Sequence, residues 1–170
     1  MDWRQKYRPY ILAGTLAFVM TMFIAPEFME GPSMKPVLED GQGTIITKEA
    51  YSAKRGLPEL GQIVCLEKVY SQDFTEDNII GRVVALPGDT LTVKDGKIYR
   101  NGKEELGDAT PEMEGQTIEI SEHDFYLMND NNDPTLDSRN PKMGPVSLKE
   151  IRGNVKWSIW PLSTFGKVEK

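Results

Sequence analysis

Ser33 lies in the segment Glu30-Gly31-Pro32-Ser33-Met34-Lys35-Pro36, directly after a long apolar run, and its hydroxyl is the natural candidate for covalent chemistry. A serine oxygen becomes a nucleophile only when an adjacent base takes its proton. Without such a base, a serine between Gly-Pro and Met is an ordinary turn residue. Bases are few. His123 is the single histidine, in Ser121-Glu122-His123-Asp124, and reads as an exposed residue at a strand edge. Lys48 follows the serine segment in a strand and reads as solvated or as bordering a substrate groove. Cys65 is the only cysteine; within Gln62-Ile63-Val64-Cys65-Leu66 it reads as a small buried hydrophobe, because nothing nearby would make it a thiolate. A last polar cluster is the loop from Asn129 to Arg139, with Asp130, Thr135, Asp137, Ser138 and Arg139. Taken alone it is a solvated loop whose surface pairs are worth ~0–1 kcal/mol each.

These residues need elements to hold them. From Pro9 to Pro26 no residue is charged, and Tyr10 to Ile24 is almost wholly apolar. That length sits at the lower limit for a bilayer-spanning helix. Ala25-Pro26-Glu27 is a poor leader-cleavage site, so a retained anchor over residues 10–26 is expected, with 1–9 cytoplasmic and 27–170 outside. Arg4, Lys6 and Arg8 before the run, and Glu27 and Glu30 after it, set that orientation. Strands are expected at Thr44–Thr47, Ile63–Leu66, Ile79–Leu86, Gln116–Ile120, Phe125–Met128 and Val155–Trp160, from their β-branched and aromatic runs. Thr90–Lys94 and Lys97–Arg100 flank Asp95-Gly96, a strong hairpin signal, and Asn101-Gly102 starts another turn. Tyr51–Leu60 and Asn129–Pro145 read as loops. No stripe of 3.6 period follows Glu30, so any helix there is short. The 170 residues carry a net charge of −6 without a basic stripe, which argues against nucleic acid as a partner. With one cysteine, no intrachain disulfide is possible.

In combination the motifs resemble the type I signal peptidases. Gly31-Pro32-Ser33-Met34-Lys35-Pro36 is similar to that family's nucleophile segment, and Gly61-Gln62-Ile63-Val64 to its Gly-Asp-Ile-Val strand. Gly81-Arg82-Val83-Val84-Ala85-Leu86-Pro87-Gly88-Asp89 is similar to its base-bearing segment, and Asn129 to Arg139 to its Asp-Ser-Arg loop. Trp160-Pro161 resembles its closing Trp-Pro. The resemblance implies a mainly β, antiparallel sheet domain behind one N-terminal transmembrane helix in the plasma membrane. It implies an endopeptidase acting after Ala-x-Ala sites, with Ser33 as nucleophile and no cofactor or metal. Met34, Pro36, Arg82, Asp130, Thr135, Asp137, Ser138 and Arg139 take its site-supporting positions, and Thr135 stands where a serine orients the base.

The base itself is missing: Gly81 stands where the family has lysine, and the neighbouring arginine cannot be deprotonated. Val37, Gln62, Ala85, Asn129 and Asn132 are further departures, and Pro32 lacks the N–H of an oxyanion donor. The expectation is therefore a protein with weak or no peptidase activity that keeps the peptide groove. Its expected partners are the membrane and preprotein signal peptides or pilin segments; signal-peptidase-like proteins of this kind assist sortases in pilus assembly. The alternative is an active signal peptidase with an unidentified base, for which His123 and Lys48 are the candidates.

Overall fold

The alternating runs between Gly- and Asp-bearing turns fold into three antiparallel sheets behind one helix, in a computed structural model that describes residues 3–49, 51, 56–71 and 74–168. Helix α1 (Trp3–Phe23) comes first. The strands follow as β1 (Ile24–Phe28), β2 (Gly43–Lys48), β3 (Ile63–Leu66), β4 (Lys68–Ser71), β5 (Phe74–Asp77), β6 (Ile80–Ala85) and β7 (Thr90–Lys94). They continue as β8 (Lys97–Arg100), β9 (Glu104–Asp108), β10 (Thr117–Glu119), β11 (Asp124–Met128), β12 (Val146–Ser147), β13 (Ile151–Trp160) and β14 (Gly166–Lys167). The main sheet runs β1-β2-β13-β3-β6-β11-β12, with β14 also on β13; β10-β7-β8-β9 forms a second sheet and β4-β5 a separate hairpin. After Glu30 the only helical elements among the described residues are 3-10 turns at Pro111–Met113, Leu148–Glu150 and Leu162–Thr164.

Turn chemistry explains much of this path. Asp95 and Gly96 both take positive φ, the geometry that a two-residue hairpin between β7 and β8 requires. In Leu86-Pro87-Gly88-Asp89 the Asp89 carboxylate accepts from the Leu86 N–H at 2.8 Å and from Asn101 Nδ2 at 2.7 Å, tying the end of β6 to the turn after β8. Among the described residues three apolar clusters fill the interior. Val64, Leu66, Ile79, Val83 and Leu127 belong to one on a face of the main sheet. Met29, Met34, Leu38, Ile46, Ile63, Cys65, Ile80 and Val155 form the second. Ala85, Leu91, Ile98, Tyr126 and Met128 belong to the third, which joins the main sheet to the second sheet.

Several expected strands differ from those observed. The strand expected from Val155 begins at Ile151, because β13 lies between β2 and β3 and its ladder to β3 starts at Ile151; both ladders carry bulges. The β4–β5 hairpin and β9 carried too weak an apolar alternation to be read from sequence. Tyr51–Leu60 falls in part outside the described residues. Most consequential is β1. The apolar run does not stay helical to Pro26: α1 ends at Phe23, and Ile24–Phe28 pairs with β2 from Ile24↔Thr47 to Phe28↔Gly43. Proline is acceptable there because β1 is an edge strand. Among the described residues no helix is long and apolar enough to cross a membrane. The uncharged helical part, residues 9–23, spans only about 22 Å at ~1.5 Å per residue.

Cys65 is fully buried in β3, and burial above all, then the Glu27 carboxylate, pushes its thiol up to about 12. A thiol reagent at pH 8 should therefore leave the native chain unmodified while labelling the guanidinium-unfolded chain to completion, which mass spectrometry of the two samples would check.

Candidate active site

Ser33 sits on a tight turn leaving β1. The Lys35 N–H bonds the Pro32 carbonyl at 3.0 Å and the Leu38 N–H the Met34 carbonyl at 2.9 Å, while the Asp40 carboxylate accepts from the Gly31 N–H at 2.8 Å. Met34 and Leu38, both fully buried, plug the turn into the cluster with Ile63, Cys65 and Ile80. Ser33 itself is half-buried and Pro36 exposed, after a cis Lys35–Pro36 peptide. Neither Ser33 Oγ nor its N–H makes a hydrogen bond among the described residues, so both are unspent. The Ser33 carbonyl accepts from the Asn131 N–H at 3.1 Å, which joins this turn to the Asn129–Arg139 loop.

That loop is held by charge. Arg82 Nε and Nη2 grip the two oxygens of Asp130 at 2.7 and 2.6 Å, and Nη1 donates to the Gly61 carbonyl at 2.7 Å. Asp137 and Arg139 are buried and paired at 2.6 Å. Asp137 also accepts from the Asn129 and Arg139 N–H groups at 3.0 and 2.9 Å, and Arg139 reaches the Asp108 carbonyl at 3.1 Å and Asn132 Oδ1. Taken alone the loop would be solvated surface pairs; instead Asp137 and Arg139 are buried and the Arg82–Asp130 pair is largely so, while Asp133 stays exposed. Thr135 is exposed and donates its hydroxyl to Asp133 at 2.6 Å, a contact that holds the Asp133 carboxyl below its usual range. Its hydroxyl is committed within its own loop.

The structure thus brings Ser33, Asn131, Asp130 and Arg82 into one chain of contacts, with Gly81 next along β6. Strand alternation puts position 81 on the face of Ile79 and Val83, where Leu66 and Leu127 also pack. Such apolar surroundings lower an ammonium's pKa. The space, however, is taken. A Cβ on Gly81 would lie 2.6 Å from both Leu127 Cγ and Cδ2, closer than real carbons approach. Leu127 is fully buried, and Ser138 clamps its backbone twice: Leu127 N–H to Ser138 Oγ at 3.0 Å and Ser138 N–H to the Leu127 carbonyl at 3.0 Å. Leu127 is the site residue that sequence reasoning missed. Nothing in Phe125-Tyr126-Leu127-Met128 reveals which strand its side chain will crowd.

Other bases are placed badly. Lys48 is at the far end of β2 from Gly43, and its Nζ donates to the Thr21 carbonyl at the end of α1 at 2.8 Å. His123 is exposed at the start of β11, at the opposite end from Met128, which pairs with Arg82. Lys35 is the lysine nearest in sequence, but Glu39 at 2.9 Å raises its pKa and holds it as an ammonium.

Known proteins match this sequence along nearly the whole chain. The model of the family described as signal peptidase, peptidase S26, matches residues 3–160. The chain is similar to signal peptidase I of Bacillus licheniformis, 29% identical, with 94% of this chain and 89% of that protein aligned. It is similar also to signal peptidase I of Bacillus amyloliquefaciens, at 27% identity over 99% of this chain and 92% of that one. Signal peptidase IB of Staphylococcus aureus (strain COL) is 26% identical over 91% of this chain and 87% of its own length. With the ordered sheet, the serine turn and the paired-charge loop in hand, this match is decisive: the chain belongs to the signal peptidase family, peptidase S26.

Proposed function

We propose that this protein is a membrane-anchored signal-peptidase-family member that binds extended signal-peptide or pilin segments outside the membrane and cleaves them weakly or not at all. The observation that carries this reading is Leu127 in the place where a side chain at position 81 would begin. General-base catalysis supplies ~10²–10⁴ in rate, and losing one member of a cooperating set removes most of the joint effect. Binding does not depend on the base. β1 pairs only with β2 among the described residues, so its other edge is open beside the Ser33 turn to an added strand. A role beside a sortase in pilus assembly follows if the bound segment belongs to a pilin.

For the anchor, α1 as a whole measures about 31 Å but its uncharged part is shorter than a bilayer core, so the reading depends on Arg4, Lys6 and Arg8 extending their heads to the cytoplasmic surface. Thr15 and Thr21 return their hydroxyls to the helix carbonyls of Ile11 and Phe18, which suits a helix in lipid. Exposed Phe28, Trp157, Trp160, Leu162 and Phe165 supply an apolar skirt at the outer interface.

The competing reading, an active peptidase, draws on the unspent hydroxyl and N–H of Ser33. One titration separates the two. Adding an Ala-x-Ala-type peptide to the full-length chain in lipid nanodiscs should shift backbone amides around Ser33 and Gly81 while the peptide stays intact over hours. Rapid cleavage that disappears in Ser33→Ala would establish the active enzyme instead, and shifts confined to distant surfaces would sink the groove.

A further inference from the structure

β1 carries a single charged residue, Glu27, and places it on the face that holds Ala25 and leads to Met29, both buried. The opposite face, Pro26 and Phe28, is exposed. Glu27 is therefore directed at the apolar cluster beneath the Ser33 turn. Arg152 meets it there from the bulge of β13 between Ile151 and Gly153. Its Nη1 donates to Glu27 Oε2 at 2.6 Å and to Asn78 Oδ1, just before β6, at 3.1 Å. Both side chains are largely buried, at 26% and 18% exposure. The buried Cys65 thiol feels both charges. An ion pair thus bridges β1 to Asn78, just before β6.

A peptide strand added to the open edge of β1 sends alternate side chains to this face. When one of them lies beside Met29 and Ser33, the one two positions away lies beside Glu27 and Arg152. In a segment of Ala-x-Ala spacing those are its two recognised positions. The pair then decides what fits. Its charges cancel, and only Nη1 of the guanidinium is spent on Glu27 and Asn78, while Glu27 Oε1 is engaged by neither. An apolar side chain would strip water from both groups and return no hydrogen bond. A carboxylate would face Glu27, and an ammonium would face Arg152. A hydroxyl or primary amide can donate to Glu27 and accept from Arg152 together.

We propose that Arg152 and Glu27 form a polar subsite of the peptide groove that selects a neutral hydroxyl or amide side chain (Thr, Ser, Asn or Gln) at the first position of an x-x-Ala segment. The inference rests on the groove reading above. Its test uses the full-length chain in nanodiscs and dodecapeptides identical except for Thr, Gln, Ala, Val, Asp or Lys at that position. The Thr and Gln peptides should bind about tenfold more tightly than the others, as expected for a partly buried polar site left unsatisfied by the wrong partner. In Glu27→Gln, which keeps the side-chain shape and leaves Arg152 uncompensated, the Asp peptide should become the tightest. Arg152→Gln should turn the preference to Lys, so either variant suffices if the other fails to fold. Equal or tighter binding of Ala and Val, with amide shifts at Ser33, would overturn the subsite and leave the groove standing. Absence of binding by all six peptides would overturn both.

Discussion

Gly81→Lys combined with Leu127→Ala should give this chain preprotein cleavage at least ~10²-fold above the native protein, the lower range for an added general base. The pair is required because the lysine stem and the Leu127 side chain compete for one space. Gly81→Lys alone forces Leu127 out of a packed core while Ser138 holds its backbone, an overpacking that costs ~1–3 kcal/mol. Leu127→Ala alone leaves a cavity worth ~2–5 kcal/mol. Combined, the lysine methylenes refill the cavity, so the double variant should lose less stability than the sum of the single losses, as expected for residues in contact. The ammonium then lies among Leu66, Ile79 and Val83, where desolvation brings its pKa toward neutrality. Adding Ser33→Ala must abolish the gain. Cleavage by the double variant that survives Ser33→Ala would disprove the assignment of Ser33, and a folded double variant with no gain would disprove that position 81 is the base position.

Arg139→Met should be among the most damaging single substitutions in the domain. It strands Asp137, a fully buried carboxylate whose guanidinium partner lies 2.6 Å away, and it removes the tie from the loop to the Asp108 carbonyl in β9. Breaking one side of a buried pair costs about 3–5 kcal/mol. For a domain of this size the melting midpoint should fall by roughly 10–20 °C. Asp137→Asn/Arg139→Met should recover part of the loss, since no unpaired charge then remains. Lys35→Ala, which breaks the exposed pair with Glu39, should leave the midpoint unchanged within error. Thermal unfolding followed by near-UV circular dichroism measures all three. A midpoint for Arg139→Met within a few degrees of the native value would return these residues to the ordinary surface pairs that the loop's composition implies.

The sequence by itself determined whatever depends on side-chain identity and short spacing. The Asp95-Gly96 hairpin follows from two residues that tolerate positive φ, and the buried strand Ile63–Leu66 from its unbroken apolar run. The serine in its Gly-Pro-Ser-Met turn and the glycine at position 81 are legible because residue identities are local facts. The charge-bearing loop was legible as a motif, but its burial was not. What lay beyond reach was decided by contacts between distant segments. Leu127 crowds Gly81 because β11 pairs with β6 through a register shift between Tyr126 and Leu127. Arg152 meets Glu27 across 125 positions because the β13 bulge turns it toward β1. Ile24–Phe28 became a strand although its composition continues the apolar run, because pairing with β2 satisfies the backbone of a segment that Pro26 would interrupt as a helix. Propensity and motif act over a few residues, whereas which side chain occupies a given space depends on how strands are registered, and only the assembled sheets fix that.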